Sequence, residues 1–239
     1  MATLILVRHG RSSANTAGVL AGRTSGVHLD ETGLEQAVAV GERLAGVRLA
    51  AAVTSPLERC RETAKEITSR QAESLRASVD KQLSECDYGE WQGRPIKELA
   101  KERLWKTVQA QPSAATFPGG ESMRAMQDRA VAAVRRHDAR IAAEHGDDAV
   151  WLAVSHGDPI KSILADALGT HLDLFQRIHV DPASVSIIRY TESRPFVVGT
   201  NTHAGDLSWL TPPKKKGRSR RASGDAAVGG GAGPQTATS

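Results

Sequence analysis

Five residues whose side chains bind anions or move protons stand at or shortly after the ends of short apolar runs. They are Arg8, His9, Arg59, Glu85 and His156. The guanidinium group of arginine is a planar cation that holds anionic oxygens through paired hydrogen bonds. Imidazole and carboxyl groups exchange protons near neutral pH when their surroundings adjust their pKa. Brought together, these residue types form a site for anion binding and proton transfer.

The apolar runs are the strands that must bring these residues together. Strands are predicted at residues 4–7, 50–54, 79–83, 149–154, 184–190 and 196–200, and helices at residues 31–44, 57–67, 95–108, 121–143 and 159–168. Strands that alternate with helices favour a parallel sheet, and ligands bind beyond the carboxyl ends of its strands. We therefore predict an α/β fold, a three-layer sandwich with a mostly parallel central sheet and helices on both faces.

Composition excludes several classes of protein. The chain has 239 residues, 40% of them hydrophobic and 24% charged, so it can bury a sizeable core. No stretch reaches the roughly 18 apolar residues of a membrane-spanning helix, so we expect no membrane partner. Arg8 interrupts the first apolar run, and no basic residue precedes that run, which argues against a cleaved signal peptide. Two cysteines, Cys60 and Cys86, are too few for a disulfide framework, so we expect reduced thiols in a cytoplasmic protein.

The positive charge of the chain lies in its C-terminal tail. Residues 211–239 hold six basic residues and one acidic residue, whereas residues 1–210 hold 25 basic and 26 acidic residues. The tail has no large apolar residue beyond Val228, so we predict one domain at residues 1–210 and a disordered, basic and glycine-rich tail. No aromatic residue interleaves these charges to stack on bases, so we expect no nucleic-acid partner.

Four motifs in this order resemble the histidine phosphatase superfamily, also called the phosphoglycerate mutase-like family. They are R-H-G-x-x-x-x-N at residues 8–15, S-P-L-x-R-x-x-x-T-A at 55–64, S-E-C-D-Y-G-E-W-Q-G at 84–93 and S-H-G at 155–157. The likeness extends over roughly residues 3–205. It implies a phosphohistidine intermediate, a phosphate pocket made of arginines and a second histidine, and a separate carboxylate as proton donor.

The resemblance implies a role for each of the five residues. His9 matches the nucleophile, and Arg8 and Arg59 match the arginines that clamp the phosphoryl group. His156 matches the second histidine, which donates to the phosphoryl oxygens when protonated, and Glu85 matches the general acid. No metal or other cofactor is implied, because the sequence has neither zinc-ligand spacing nor a P-loop glycine pattern.

Four further residues are candidates for substrate binding. Asn15 matches a polar residue that contacts the phosphoryl group, and Tyr88 matches a tyrosine of the mutase branch. Gly157 lets the backbone approach the ligand closely. Arg23 lies where relatives carry a substrate-facing segment, although it also fits a surface loop.

Two positions leave alternatives open. Asp87 and Glu90 compete with Glu85 for the role of the acid. Glu121 and Ser122 lie in F-P-G-G-E-S, which recurs in the phosphatase branch and also fits a glycine turn before a helix.

The choice within the family depends on residues 104–120. The mutase branch carries paired arginines there, and this chain has none, so water should reach the phosphohistidine. We therefore expect a phosphatase that hydrolyses a small-molecule phosphate monoester, with a cofactor-dependent phosphoglycerate mutase or phosphomutase as the alternative. A third hypothesis is that the protein is a non-catalytic module that binds phosphate esters or, through its tail, nucleic acid. Family members often form dimers, so a homodimer is a further expectation.

Overall fold

The computed structural model describes residues 1–204, 228–229 and 231, so the predicted tail lies outside the described residues except at these last three positions. The strands are β1 (Thr3–Arg8), β2 (Ala51–Thr54), β3 (Ser78–Val79), β4 (Val150–Ser155), β5 (Val185–Arg189) and β6 (Phe196–Thr202). The helices are α1 (Ser13–Ala17), α2 (Glu31–Leu44), α3 (Glu58–Thr68), α4 (Ile96–Leu99), α5 (Arg103–Ala110), α6 (Met123–His145) and α7 (Gly157–Ala167). In this part of the chain, no helix combines the length and apolar character that a bilayer crossing requires.

The six strands form one sheet in the order β3-β2-β4-β1-β5-β6. The pairs β1–β4, β2–β4 and β2–β3 are parallel, whereas β5 runs antiparallel to both β1 and β6. The sheet is therefore mixed, which confirms the α/β class and limits the predicted parallel pairing to three of the five strand pairs. Arg8 lies opposite Ser155, and Thr54 lies opposite Val154, so β1, β2 and β4 end at the same edge.

Helices pack against both faces of the sheet because successive side chains of a strand point in opposite directions. In β1, Leu4 and Leu6 belong to an apolar cluster that includes residues of α6 and α7. Ile5 and Val7 belong to a second cluster, which includes residues of α2 and α3. This alternation explains why the strand reads as a continuous apolar run.

The prediction of a strand at residues 79–83 was wrong beyond its first residue. Only Ser78 and Val79 pair with β2. The Asp80 side chain then accepts a hydrogen bond from the backbone N–H of Gln82 at 2.8 Å and begins a 3₁₀ turn. An aspartate that bonds the backbone two residues ahead favours a turn over a strand.

The prediction of one helix at residues 95–108 was also wrong, because the chain forms α4 and α5 with a break between them. Leu99 and Trp105 are both buried in the same apolar cluster. Residues six apart face different sides of a straight helix, so a continuous helix would expose one of them. The break lets both side chains enter the cluster.

The first turn of α2 presses against the loop that follows β1, and Gly33 permits this contact. A Cβ atom at Gly33 would lie 1.8 Å from the backbone oxygen of Arg11. Helix propensity alone would make Gly33→Ala stabilising. We expect the clash to win and to lower the free energy of unfolding by about 1–3 kcal/mol.

Urea denaturation of Gly33→Ala tests this close contact. Gly46→Ala is the matched control, because a Cβ there meets nothing within 4 Å. The control should change the free energy of unfolding by less than about 0.5 kcal/mol. Equal stability of the two variants would contradict the close approach of α2 to the loop.

Candidate active site

The edge at which β1, β2 and β4 end holds a pocket. His9 directly follows β1, Ser55 follows β2, and His156 follows β4 and precedes α7. The pocket is lined by His9 and Arg59 together with Glu85, which follows the 3₁₀ turn after β3. Sequence-predicted residues from four separate segments therefore meet at one edge of the sheet.

The hydrogen bonds of His9 assign its tautomer. Its Nδ1 lies 2.7 Å from the carbonyl oxygen of Gly10. A carbonyl only accepts, so Nδ1 carries the proton. Arg59 donates its Nε–H to His9 Nε2 at 3.2 Å, which requires a lone pair on Nε2. Nε2 is therefore the basic and nucleophilic nitrogen of this ring.

Burial and positive charge keep His9 neutral. The residue is 3% exposed, and desolvation disfavours the imidazolium form. The charges of Arg59 and Arg8 add to this, so the pKa of His9 lies well below its usual value of 6.5. At neutral pH, His9 is thus held in the form that can attack an electrophile.

Arg8 and Arg59 are buried arginines that neutral backbone groups anchor. Arg8 Nη1 donates to the carbonyl oxygen of Val180, and Arg59 Nη2 donates to that of Gly22, both at 2.8 Å. Arg59 Nη1 is buried and has no hydrogen-bond partner among the described residues. A buried donor without a partner is costly, and an anionic oxygen would satisfy it.

His156 lies beside His9, with 5.2 Å between the ring centroids. Its Nε2 lies 2.7 Å from the Ser55 hydroxyl and 3.4 Å from Cys60 Sγ. Burial, followed by the charge of Arg59, lowers the pKa of His156 well below 6.5, so the imidazole is held in its neutral form. A bound phosphoryl anion acts in the opposite direction and favours its protonation.

The neighbouring thiol of Cys60 does not compete with His9 as a nucleophile. Cys60 is a free cysteine and is fully buried. Burial raises the pKa of its thiol to about 12, so the thiolate is absent at neutral pH.

Glu85 has the electrostatics of a proton donor. It is 3% exposed, and its Oε1 accepts a hydrogen bond from the backbone N–H of Cys86 at 2.9 Å. Burial first, and the nearby Asp158 carboxylate second, raise the pKa of Glu85 to about 8. The side chain is therefore mainly protonated at pH 7, as a general acid must be.

An ion-pair cluster fixes the backbone that carries Glu85. The carbonyl oxygen of Glu85 accepts hydrogen bonds from Arg23 Nε at 2.9 Å and from Arg129 Nη2 at 3.0 Å. Glu121 Oε1 holds both arginines, at 2.8 Å and 2.6 Å, and also accepts from the backbone N–H of Asp87 at 2.9 Å. Arg23 thus contacts the acid-bearing loop, and Glu121 anchors that loop.

The other predicted residues are placed as follows. Asn15 and Tyr88 line the pocket. The side-chain oxygen of Asn15 also accepts from the backbone N–H of Ser12 at 3.0 Å, so Asn15 is both a helix-capping and a pocket residue. Gly157 is the first residue of α7.

The alternative acids lie apart from the pocket. Asp87 Oδ2 lies 3.5 Å from Arg23 Nη1, with which it forms an ion pair. Neither Asp87 nor Glu90 belongs to the described pocket lining. Ser122 caps α6, since its hydroxyl accepts from the backbone N–H of Ala125 at 3.1 Å.

Sequence reasoning missed two residues of this site. Asp158 is fully buried in the first turn of α7, and its Oδ2 accepts from the Tyr88 hydroxyl at 2.7 Å. Its position directly after S-H-G was the available signal. Arg129 lies on α6, and nothing in its sequence neighbourhood indicates that it binds the Glu85 carbonyl.

The arrangement combines a neutral imidazole with an unprotonated Nε2, two buried guanidinium groups and a protonated carboxyl group. This set can accept a phosphoryl group, hold its oxygens and protonate a leaving oxygen. Over the described ranges of the chain, no group of three or more His, Cys, Asp or Glu side chains is placed to hold a metal ion.

This chain is similar in sequence to curated proteins that include the following three. The Bifunctional protein Rv2228c of Mycobacterium tuberculosis is 36% identical over 193 residues, and the match spans 78% of this chain but only half of that protein. Phosphoserine phosphatase 1 of Hydrogenobacter thermophilus is 30% identical, over 87% of this chain and 96% of its own length. A probable phosphoglycerate mutase, GpmB, of Salmonella choleraesuis is 31% identical, over 89% and 97%.

The fold and the family follow from two further comparisons. YhfR of Bacillus stearothermophilus superposes with a TM-score of 0.75 at 28% identity, over 87% of this chain and 98% of its own. The profile of the histidine phosphatase superfamily (branch 1) matches residues 4–203. Because that match covers most of its length, the chain belongs to the histidine phosphatase superfamily.

Proposed function

We propose that this protein hydrolyses small-molecule phosphate monoesters through a phosphohistidine on His9. The observation that carries the proposal is the tautomer of His9, whose proton is on Nδ1 and whose lone pair on Nε2 lies 3.2 Å from Arg59 Nε. A phosphoryl group that reaches this point meets a nucleophile and a cation together. The family to which the chain belongs, and its 30% identity to a phosphoserine phosphatase, support a phosphatase.

In the first step, the lone pair of His9 Nε2 attacks phosphorus and the ester P–O bond breaks. The guanidinium groups of Arg8 and Arg59 and the His156 ring bind the nonbridging oxygens, where charge accumulates. Glu85 gives its proton to the leaving oxygen, so an alcohol departs. This proton transfer is needed most when the leaving group is a poor one.

In the second step, water attacks phosphorus and the P–N bond breaks. Glu85 is now a carboxylate and takes a proton from the attacking water, which returns it to its starting form. His9 recovers its lone pair, and inorganic phosphate leaves. Each proton and each bond is accounted for by groups of this site.

A phosphomutase is the second candidate, and the 31% identity to a probable phosphoglycerate mutase favours it. A mutase must hold its intermediate away from water and bind the rest of the substrate. No residue between 104 and 120 belongs to the described pocket lining, and Trp105, Val108 and Phe117 in that stretch pack into an apolar cluster. This stretch contains no arginine, and its one cation, Lys106, is not among the described lining residues, which supports hydrolysis.

A screen of phosphate esters distinguishes the two candidates. We expect the purified protein to release phosphate from p-nitrophenyl phosphate at the same rate with and without EDTA, because each step uses protein groups. With 3-phosphoglycerate, phosphate release and formation of 2-phosphoglycerate are scored separately. Isomerisation without net phosphate release would establish the mutase instead.

A further inference from the structure

Two residues from the far end of the chain lie in the active-site pocket. Val228 and Gly229 line it together with His9, Arg59 and Glu85. Val228 is 1% exposed and belongs to the apolar cluster that contains Leu20 and Tyr88. The sequence offers no other large apolar residue after residue 211, so the tail places its one such side chain here.

The backbone of Gly229 uses charged groups of the site. Its N–H donates to Asp158 Oδ2 at 3.2 Å, and its carbonyl oxygen accepts from Arg8 Nη2 at 3.4 Å. Asp158 and Arg8 are both fully buried. The backbone donor and the backbone acceptor of this one residue are thus both bound by charged side chains of the pocket.

The backbone conformation and the close surroundings of residue 229 both favour glycine. Its φ is +74°, and an added Cβ would lie 3.0 Å from Leu20 Cδ1 and 3.5 Å from the Tyr88 hydroxyl. Residues other than glycine rarely adopt this backbone conformation. The Val-Gly pair therefore matches the pocket in both its side chain and its backbone.

The seated segment leaves little room. The volume still open to the centre of a water molecule in this pocket is about 20 Å³, which holds about one water. A phosphate ester and this segment therefore exclude each other. The carbonyl oxygen of Gly229 also accepts a hydrogen bond from the Arg8 guanidinium group. In the proposed mechanism this guanidinium group binds a phosphoryl oxygen instead.

We propose that the pocket is also a peptide-binding site, and that its ligand is the chain's own segment Val228–Gly229, which competes with the substrate. This inference rests on the proposed function, because it takes the pocket to be the substrate site. Occupation reduces the fraction of molecules that can bind substrate, so the apparent KM rises by the reciprocal of that fraction while kcat stays unchanged. The ligand belongs to the same chain, so the effect is independent of protein concentration.

Two variants of the full chain test the competition. Val228→Asp places a charge in the apolar cluster, and Gly229→Ala adds a methyl group without a charge. We expect each to lower KM for p-nitrophenyl phosphate about threefold to tenfold at unchanged kcat. Val198→Asp is the matched control, since Val198 lies on β6 and is 59% exposed, and its KM should equal that of the parent.

A peptide of residues 224–234 supplies the ligand in trans. Added to Val228→Asp, it should raise KM again as a competitive inhibitor, and the same peptide with aspartate at position 228 should have no effect. If neither variant changes KM, or if the Val198 control changes it equally, the proposal is overturned.

Calorimetric titration with inorganic phosphate separates this proposal from the proposed function. Release of the segment should tighten phosphate binding by the same factor as the fall in KM, whether or not any ester is turned over. Tighter binding in a protein that hydrolyses nothing would uphold the segment's role and refute the phosphatase. Ester turnover with unchanged KM and unchanged phosphate affinity would uphold the phosphatase and refute the segment's role.

Discussion

His9→Ala should lose about 10⁴-fold or more in the turnover of any phosphate ester, because it removes the atom that receives the phosphoryl group. The remaining arginines can still bind the ester, so KM should change far less than kcat. Steady-state release of phosphate from p-nitrophenyl phosphate measures both constants. The loss should be the same for good and poor leaving groups, since both require the phosphohistidine.

A surface histidine provides the control for this substitution. His145 ends α6, and its side chain is 45% exposed. His145→Ala should retain the activity of the parent. A thermal melt should show that His9→Ala is folded, and a folded His9→Ala that retains more than about a tenth of the activity would contradict its role as nucleophile.

Glu85→Gln should slow the hydrolysis of alkyl phosphates by about 10²–10⁴-fold and that of p-nitrophenyl phosphate much less. Glutamine keeps the size of the side chain but has no acidic proton to give. An alkoxide needs that proton in order to leave, whereas p-nitrophenolate is stable without it. The ratio of kcat/KM for the two ester types measures the effect directly.

The pH dependence follows from the pKa of Glu85, which burial and Asp158 raise to about 8. The acid form is the active one, so kcat/KM for alkyl phosphates should be flat near neutral pH and fall above about pH 8. On the acid side, kcat/KM should fall only below pH 6.5, because the pKa of His9 is well below that value. Glu85→Gln should remove the alkaline fall and leave the acid side unchanged.

Glu90→Gln is the matched control, because Glu90 is exposed and lies in the same loop. It should leave both the leaving-group ratio and the alkaline fall as they are in the parent. If Glu90→Gln reproduces the effect of Glu85→Gln, or if Glu85→Gln slows both ester types equally, another group is the acid.

The convergence of the motifs could be predicted because three of them directly follow strands. In a parallel sheet the register carries such residues to one edge, as the pairing of Arg8 with Ser155 shows. The antiparallel β5 could not be foreseen from its apolar residues, since burial of both faces gives the same pattern in either direction. β3 is short because of the hydrogen bond between Asp80 and Gln82, and the break between α4 and α5 lets Leu99 and Trp105 enter the same apolar cluster. The spacing of apolar residues along the sequence indicates neither of these contacts.

The support of the site was harder to predict than its chemistry. The Arg129 side chain reaches the Glu85 carbonyl only because of how α6 packs against the 3₁₀ turn after β3. Asp158 contacts Tyr88 across 70 positions of sequence, and Gly229 contacts Arg8 across 221. Contacts between residues this far apart in sequence are determined by tertiary packing, so they cannot be predicted from the spacing of residue types.

Rapid-quench trapping of the phosphoenzyme is the most direct test of the central claim, that His9 carries the phosphoryl group. The protein is mixed with a ³²P-labelled phosphate ester, quenched in base within milliseconds and digested for peptide mapping. We expect label that survives base, is lost in acid and maps to the peptide containing His9, and we expect none in His9→Ala. Label that survives acid, or that maps to another peptide, would contradict the account.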